Sequence, residues 1–398
     1  MAIFNPFLPS FERNPYPAYA SLRAADPVHW SEALSAWVLT TYEDCDRVLR
    51  DPKRFSNNPL NASVQVADAI RERRRELPLG NVPTVLNSDA EVHARLRGIV
   101  SRAFTPRVVE GLGPRIAEIA EFLLDAAPSS GEFDLVRAFS EVLPVVVIAE
   151  LLGVPADDRP LFRRWATAIA ATTRPMPTPG AIEDVKVAAT ELIEYMTKVI
   201  EERQRAPRED LISALVRAEG EEARLSREEL LAFITVLLVA GHETTTHLIG
   251  NGMAALLEAP EQLALLRTQP ELIPAAVEEM LRLDGPVQAL VRVATEPVEF
   301  RDRRIEAGSV LLVMIGAADR DPARFADPDR LDVRRADNDH LAFGRGPHFC
   351  LGAPLARLEG RIAFEALLRR YPSIAAAGTP ERSSTFVLRG MRSLPVSV

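Results

Sequence analysis

A capping pattern, Ser226-x-x-Glu229, opens a helical run that continues to Leu257. Its length of about 31 residues corresponds to ~46 Å of helix, enough to cross a whole globular protein. The upstream half, LLAFITVLLVAG (Leu230 to Gly241), is apolar on nearly all faces and therefore expected to be buried. As an uninterrupted apolar run it falls short of the ~18 residues wanted for a membrane span. AGHETTT (Ala240 to Thr246) then puts a glycine, an acid and three threonines into the helix middle. Glycine costs ~1 kcal/mol there relative to alanine, and mid-helix threonines bond back to earlier carbonyls and bend the axis. Such conflicts between local and global preference gather at functional sites, although a kink satisfied by threonine back-bonding explains the pattern equally simply.

The remaining sequence sets the frame around this helix. Apolar residues recur at three- and four-residue spacings in AEVHARLRGIVSRAF, RIAEIAEFLLDAA, EVLPVVVIAELLG, AATELIEYMTKVIEERQ, IPAAVEEMLRL and PLARLEGRIAFEALLRRY. Strand-like segments are fewer: VHWSEALSAWVLTTY, LVRVATEPVEF, SVLLVMIGAA and FVLRGMRSLPVSV. The expectation is a mainly α protein with a small sheet assembled from distant pieces. No linker, repeat or shift in composition divides the 398 residues, so residues 1–398 read as one domain. Two irregular stretches, Ser56 to Asn87 and Thr172 to Gly180, have the character of lids or binding loops.

Charge and cysteine usage exclude several classes. A net charge of −9 argues against nucleic-acid binding, and the basic cluster RERRREL (Arg71 to Leu77) reads as a solvated helix face. Cys45 and Cys350 are the only cysteines, which points away from a disulfide framework and toward a reducing compartment. The opening MAIFNPFLPSFERNPYP lacks a basic leader with an apolar run, so a soluble, cytoplasmic, unanchored protein is expected.

Cys350 lies in FGRGPHFCLG, with an apolar helix after it. Gly344, Gly346 and Gly352 permit positive φ and close approach to a flat or bulky group. Pro354 is tolerated in the first turn of the following helix, whose N-terminus favours a thiolate at Cys350. By its residues alone such a cysteine is a nucleophile, a redox sensor, a metal ligand or a small buried hydrophobe. No second cysteine nearby supports C-x-x-C chemistry or structural zinc, whereas a single thiolate can hold haem iron from one side.

The run Phe343-Gly344-x-Gly346-x-His348-x-Cys350-x-Gly352 resembles the haem-binding signature of the cytochromes P450, and Ala240-Gly241-x-Glu243-Thr244 is similar to that family's oxygen-activation motif. The resemblance runs over essentially the whole chain and implies a triangular helical domain with a small β-rich region. Haem b, iron protoporphyrin IX, would lie between the long helix and the helix after the cysteine loop. It further implies that Cys350 ligates the iron, that Phe343 shields the sulfur, and that His93, Arg97, Arg292 and His348 clamp the propionates. His93 and Arg97 stand four apart on a helix expected to start at Ser88 with the pattern Ser88-x-x-Glu91. Glu279-x-x-Arg282 matches the family's buried ion-pair motif, with Arg330 of DPDRLD as the expected third member; Leu331 replaces the usual aromatic, so altered packing is expected there. His29, His242, His247 and His340 read as structural.

The activity so implied is haem-thiolate monooxygenation. Thr244 would hydrogen-bond bound oxygen, Glu243 would feed protons through solvent, and Gly241 would open a cleft beside Ala240. The acid-alcohol pair favours dioxygen plus external electrons over a peroxide-driven peroxygenase; a haem-thiolate sensor without turnover and a haem-free thiol redox protein are the other readings. No nicotinamide or flavin fingerprint is present, so a ferredoxin or flavodoxin-type partner would deliver electrons, an acidic ferredoxin docking on Arg345, Arg357 and Arg361. The substrate would be an apolar small molecule such as a fatty acid, terpenoid, steroid or polyketide. Its pocket would include Phe233, Leu237, Val287, Leu290, Val291, Val387 and Leu388, and the protein would be a monomer.

Overall fold

Ser226 and Glu229 close the box that their spacing predicts. Ser226 Oγ accepts the Glu229 N–H at 3.1 Å, and the Glu229 carboxylate accepts the Ser226 N–H at 2.9 Å. In the computed structural model, which describes residues 4–173, 178–217 and 224–398, the helix so started runs unbroken through Arg227–Glu258. Its 32 residues span about 48 Å. By length and composition it is long and apolar enough to cross a bilayer, more so than the uninterrupted apolar run indicates. More than half of its most apolar stretch is buried inside the protein, as in the core helix of a globular fold.

The main helices are α1 (Ala90–Ala103), α2 (Gly113–Ala126), α3 (Val142–Leu151), α4 (Arg159–Ile169), α5 (Pro179–Arg205), α6 (Arg227–Glu258), α7 (Ile273–Asp284) and α8 (Ala353–Arg370). α6 packs against α3, α7 and α8, and α8 packs on α2 and α7, around one extended apolar cluster. α3 is apolar at nearly every position, and nearly all of it is buried. The expected start of α1 is corrected. Its cap is Asp89, without a side-chain cap bond, because Ser88 Oγ instead donates to the Thr84 carbonyl.

The sheet is built from distant pieces, as expected. Its strands are β1 (Val28–Ser31), β2 (Ala36–Leu39), β3 (Phe55–Ser56), β4 (Leu290–Ala294) and β5 (Val310–Val313), in the order β1-β2-β5-β4-β3. β2 and β5 are parallel and the other pairs antiparallel. A C-terminal hairpin, β6 (Glu381–Ser384) and β7 (Arg389–Ser393), packs on α6. The stretch Ser56 to Asn87 is less irregular than expected: it holds a helix, Val64–Arg75, on which Arg71 pairs with Asp68. Residues 174–177 of the second expected loop lie outside the described residues.

Two buried charge clusters tie these elements together. Asp284, at the end of α7, accepts from Tyr16 at 2.5 Å, Arg389 at 2.7 Å and Arg382 at 3.0 Å. Burial alone would raise the Asp284 pKa, but Arg389 and Arg382 hold it below the usual carboxylate range. Arg389 also donates to the carbonyls of Glu12 and Arg13, both at 3.1 Å.

The second cluster centres on Glu279, which is wholly buried. Arg282 binds it in two-point fashion at 2.7 and 2.8 Å and donates onward to the carbonyls of Asp319 and Pro328. The third arginine is Arg335, at 3.0 Å, and not Arg330. A turn closed by the Arg330 N–H on the Asp327 carbonyl leaves Arg330 exposed and sends only its carbonyl inward, where Arg282 donates to it at 3.3 Å. Leu331 is buried in the main core. Removing one partner of a buried pair leaves the other charge uncompensated, at a cost of about 3–5 kcal/mol. Urea unfolding should therefore show a loss of that order for Arg335→Ala and a change within about 0.5 kcal/mol for Arg330→Ala; equal losses would return Arg330 to the cluster.

Candidate functional site

The loop from Phe343 to Gly352 is held at both ends by backbone. Gly344 N–H donates to the Leu341 carbonyl at 2.7 Å, and Cys350 N–H donates to the Phe343 carbonyl at 2.9 Å. Gly344 and Gly346 have φ of +70° and +66°, so both need glycine. At Gly346 the close approach is to protein: a Cβ would fall 2.6 Å from the Leu49 carbonyl oxygen. The loop begins on a buried carboxyl, since Asp319 Oδ1 accepts the Leu341 N–H at 2.7 Å.

Cys350 lines a cavity that encloses about 1460 Å³ of space free of protein atoms, its open mouth included. The N–H groups of Gly352 and Ala353, with Arg97 and Arg357, favour charge on its sulfur. Burial is the larger effect, and the thiol stays above its ordinary range. The helix terminus expected to yield a thiolate therefore does not suffice by itself; coordination to a metal deprotonates a thiol outright. Phe343 lines the same cavity, with the Arg357 guanidinium 4.6 Å from its ring centre.

α6 supplies another wall through Phe233, Leu237, Ala240, Gly241 and Thr244. The Thr244 hydroxyl donates to the Ala240 carbonyl at 2.5 Å, the back-bond anticipated for a mid-helix threonine. The helix is not interrupted there. Gly241 lines the cavity as well, and a Cβ there would lie 2.7 Å from Ile148 Cδ1 on the facing α3. Glu243 is not among the lining residues. Its Oε1 lies 3.8 Å from His247 Nε2, and its Oε2 is buried without a partner.

Four bases from α1, β4 and the loop converge on the same region. The rings of His93 and His348 lie 3.9 Å apart, tilted by 35°, and His93 Nε2 is buried without a partner. Burial first, then His93 and Arg292, push His348 down to about 4. Burial likewise pushes Arg292 down to about 10, and its side chain donates only to the Val291 carbonyl. Burial lowers Arg97 as well. Two desolvated guanidinium groups, Arg97 and Arg292, beside an orphaned His93 ring nitrogen suit an anion, and the Asp89 carboxylate near Arg292 and His348 supplies part of that charge. A haem with two propionates fits this donor set.

Of the expected pocket residues, Phe233, Leu237, Val287 and Leu290 line the cavity, whereas Val291, Val387 and Leu388 do not. Strand alternation explains Val291: Leu290 and Arg292 take the cavity face of β4 and Val291 the exposed one. Leu388 bridges back to Val287, and Val387 packs on the N-terminal cluster. Val85 and Leu86 come from the expected binding loop Ser56 to Asn87 and Val236 from the helix segment between Phe233 and Leu237, whereas sequence reasoning passed over Ile148 and Glu359. Val85 and Leu86 form an apolar pair inside a polar loop, a usable signal; Glu359 gives none. It is fully buried on α8, and burial raises its pKa well above the carboxylate range, so it stands as a neutral acid in the wall. Two of the expected docking bases are engaged within the protein, Arg345 by Asp339 and Arg357 by Glu278, while Arg361 is half exposed.

The family model "Cytochrome P450" matches residues 30–385. Cytochrome P450 monooxygenase PikC of Streptomyces venezuelae is 44% identical, over 97% of this chain and 91% of that protein. Vitamin D(3) 25-hydroxylase of Pseudonocardia autotrophica is 41% identical, over 98% and 96%. The solved structure of the Bacillus subtilis 168 bacillaene polyketide synthase cytochrome P450 PksS superposes with a TM-score of 0.91 at 38% identity, covering 99% of each chain.

Asp319 provides a pH test of the loop's anchor. Burial lifts its pKa from the ordinary 3.8 to about 7. The raised value means that protonation favours the folded state, so the stabilisation present at low pH is lost as pH rises through about 7. Asp319→Asn keeps an acceptor for the Leu341 N–H without a charge. Its melting temperature should exceed that of the parent at pH 8 by more than at pH 5; a loss independent of pH would contradict this.

Proposed function

We propose that this chain, which belongs to the cytochrome P450 family, uses haem b to insert one atom of dioxygen into a bulky apolar molecule. The family makes it a monooxygenase with a haem-thiolate cofactor. The haem type, the ligand and propionate residues, the substrate class and the electron source are our own reading. The observation that carries it is one cavity lined by Cys350, by Thr244 and by the bases Arg97, Arg292 and His348, with His93 stacked behind His348.

Bound there, haem supplies the binding and reductive cleavage of dioxygen, with a thiolate pushing electron density toward the O–O bond. Cys350 is the iron ligand in this reading. The N–H groups of Gly352 and Ala353 and the guanidinium groups of Arg97 and Arg357 then stabilise its sulfur once it is ionised. His93, Arg97, Arg292 and His348 meet the propionates through charge-assisted hydrogen bonds, which relieves their mutual repulsion. Thr244 has its proton committed to the Ala240 carbonyl, so its oxygen faces the cavity as an acceptor. Glu243, one residue before it, is the proton donor. Val85, Leu86, Ile148, Phe233, Val236 and Leu237 make the substrate wall apolar and keep bulk water out.

Apolar walls and the printed names of the relatives, a polyketide synthase P450 and a vitamin D(3) hydroxylase, support a polyketide-like or steroid-like substrate. Electrons come from a ferredoxin or flavodoxin-type partner in the cytoplasm, with Arg361, half exposed and 3.9 Å from Glu365, as a contact base. Reduced, carbon-monoxide-bound protein should show the shifted Soret band of a thiolate ligand, and Cys350→Ser should abolish it; an unshifted band in the parent would remove the assignment. With a surrogate ferredoxin and reductase, Thr244→Ala should consume electrons at a similar rate. Its product yield should fall about 10-fold as peroxide is released, and unchanged yield would favour a sensor without turnover.

A further inference from the structure

α6 carries a second polar row beside the Thr244 wall. Glu243, His247 and Asn251 recur every fourth residue, so they lie one above another on a single helix face. His247 Nε2 and Glu243 Oε1 are 3.8 Å apart, beyond a direct hydrogen bond and within reach of a bridging water. Glu243 Oε2, His247 Nδ1 and Asn251 Oδ1 are all buried without partners. Buried polar atoms of this kind are normally satisfied by ordered water.

His247 is only 6% exposed, and its ring is held in place by the C-terminal hairpin. A Cβ at Gly390 would fall 1.9 Å from Nδ1, so β7 passes against the ring and only glycine fits there. Asn251 continues the row, donating to the carbonyls of Asp284 at 2.8 Å and Arg389 at 3.1 Å. An apolar side chain would fill the His247 position without leaving an orphaned nitrogen. Charged groups on the elements packed around this part of α6 are already occupied: Asp284 of α7 pairs with Arg389 of β7, and Glu141, before α3, pairs with Arg163. Glu359 of α8 is neutral, and His242, on α6 itself, is bonded through Nε2 to the Glu141 carbonyl. Among the described residues, Glu243 is the one carboxylate within 4.0 Å of His247.

We propose that His247 is a positioning residue for proton supply, orienting Glu243 through a shared water and restoring its proton after each delivery. The imidazolium gives up its Nε2 proton through the bridging water to the Glu243 carboxylate, and solvent entering along the row reprotonates the imidazole. Only N–H and O–H bonds change, and the proton lost from solvent equals the one Glu243 passes toward Thr244. This inference rests on the roles proposed above for Glu243 and Thr244.

Two measurements test it. The first is product formed per electron pair as a function of pH. In the parent this coupling should fall as pH rises through the histidine range of about 5 to 8. His247→Gln, which still donates a hydrogen bond but does not titrate, should retain product and show a flat profile. His247→Leu should lose coupling about 10-fold at every pH. The second is nitrogen-15 NMR of histidine-labelled, diamagnetic ferrous protein with carbon monoxide bound; with six histidines in the chain, the His247 signal is identified by its loss in the variants. Glu243→Gln should move the His247 ring-nitrogen signal. An unmoved signal, or a parent profile independent of pH, overturns the proposal while the thiolate-type Soret band and turnover persist. A parent lacking that band or making no product removes the site assignment and this inference with it.

Discussion

A carboxylate that never meets water organises the cysteine side of this protein. Glu279 gathers Arg282, Arg335 and the Asp332 N–H. Arg282 then fastens the carbonyls of Asp319, Pro328 and Arg330. Through Asp319 the same anchor reaches Leu341, two residues before Phe343. The position of Cys350 against α6 is thus inherited from a chain of charge-assisted bonds that begins on α7, outside the cavity. A buried network of this kind gains little over apolar packing but is costly to break, so it favours one arrangement of the irregular segment over its alternatives.

Features carried by local chemistry were legible from residues alone. The capping box at Ser226 is a contact between neighbours in sequence, and the Thr244 back-bond follows from helix geometry. The motif around Cys350 was readable through its resemblance to a haem-binding signature, since its residues alone left nucleophile, redox sensor, metal ligand and buried hydrophobe open. Failures arose where the answer depends on how distant backbone turns. Arg330 and Arg335 are equally good arginines in sequence, and a single turn at Asp327 decides which one points inward. Val291 is as apolar as Leu290, yet strand alternation sends it to the outer face. Glu359 looks like any polar position on an amphipathic helix until its burial is seen.

The cavity combines two kinds of wall that rarely share one volume. Toward the cysteine loop it holds desolvated bases whose repulsion is tolerable only with an anion present. Toward α6 and the Val85–Leu86 segment it is mostly apolar, with Asn57, Thr244 and Thr245 the polar exceptions. A ligand that is charged at one edge and otherwise flat and apolar satisfies the first wall, leaving the second to select a separate molecule by shape. Selection by shape in an apolar pocket is weak, of order 1–3 kcal/mol per methylene.

Arg389 sits nine residues before the C-terminal Val398, and it holds the carbonyls of Glu12 and Arg13 as well as Asp284. The two ends of the chain therefore meet in one buried ion cluster. During synthesis, which runs N-terminus first, this cluster cannot close until Arg389 has been made. Until then α6 lacks the hairpin that covers the His247 face, and the N-terminal segment lacks its anchor. Contacts of such long sequence separation are slow to form. Nascent protein therefore leaves this face of α6 uncovered until the hairpin that carries Arg389 has been made.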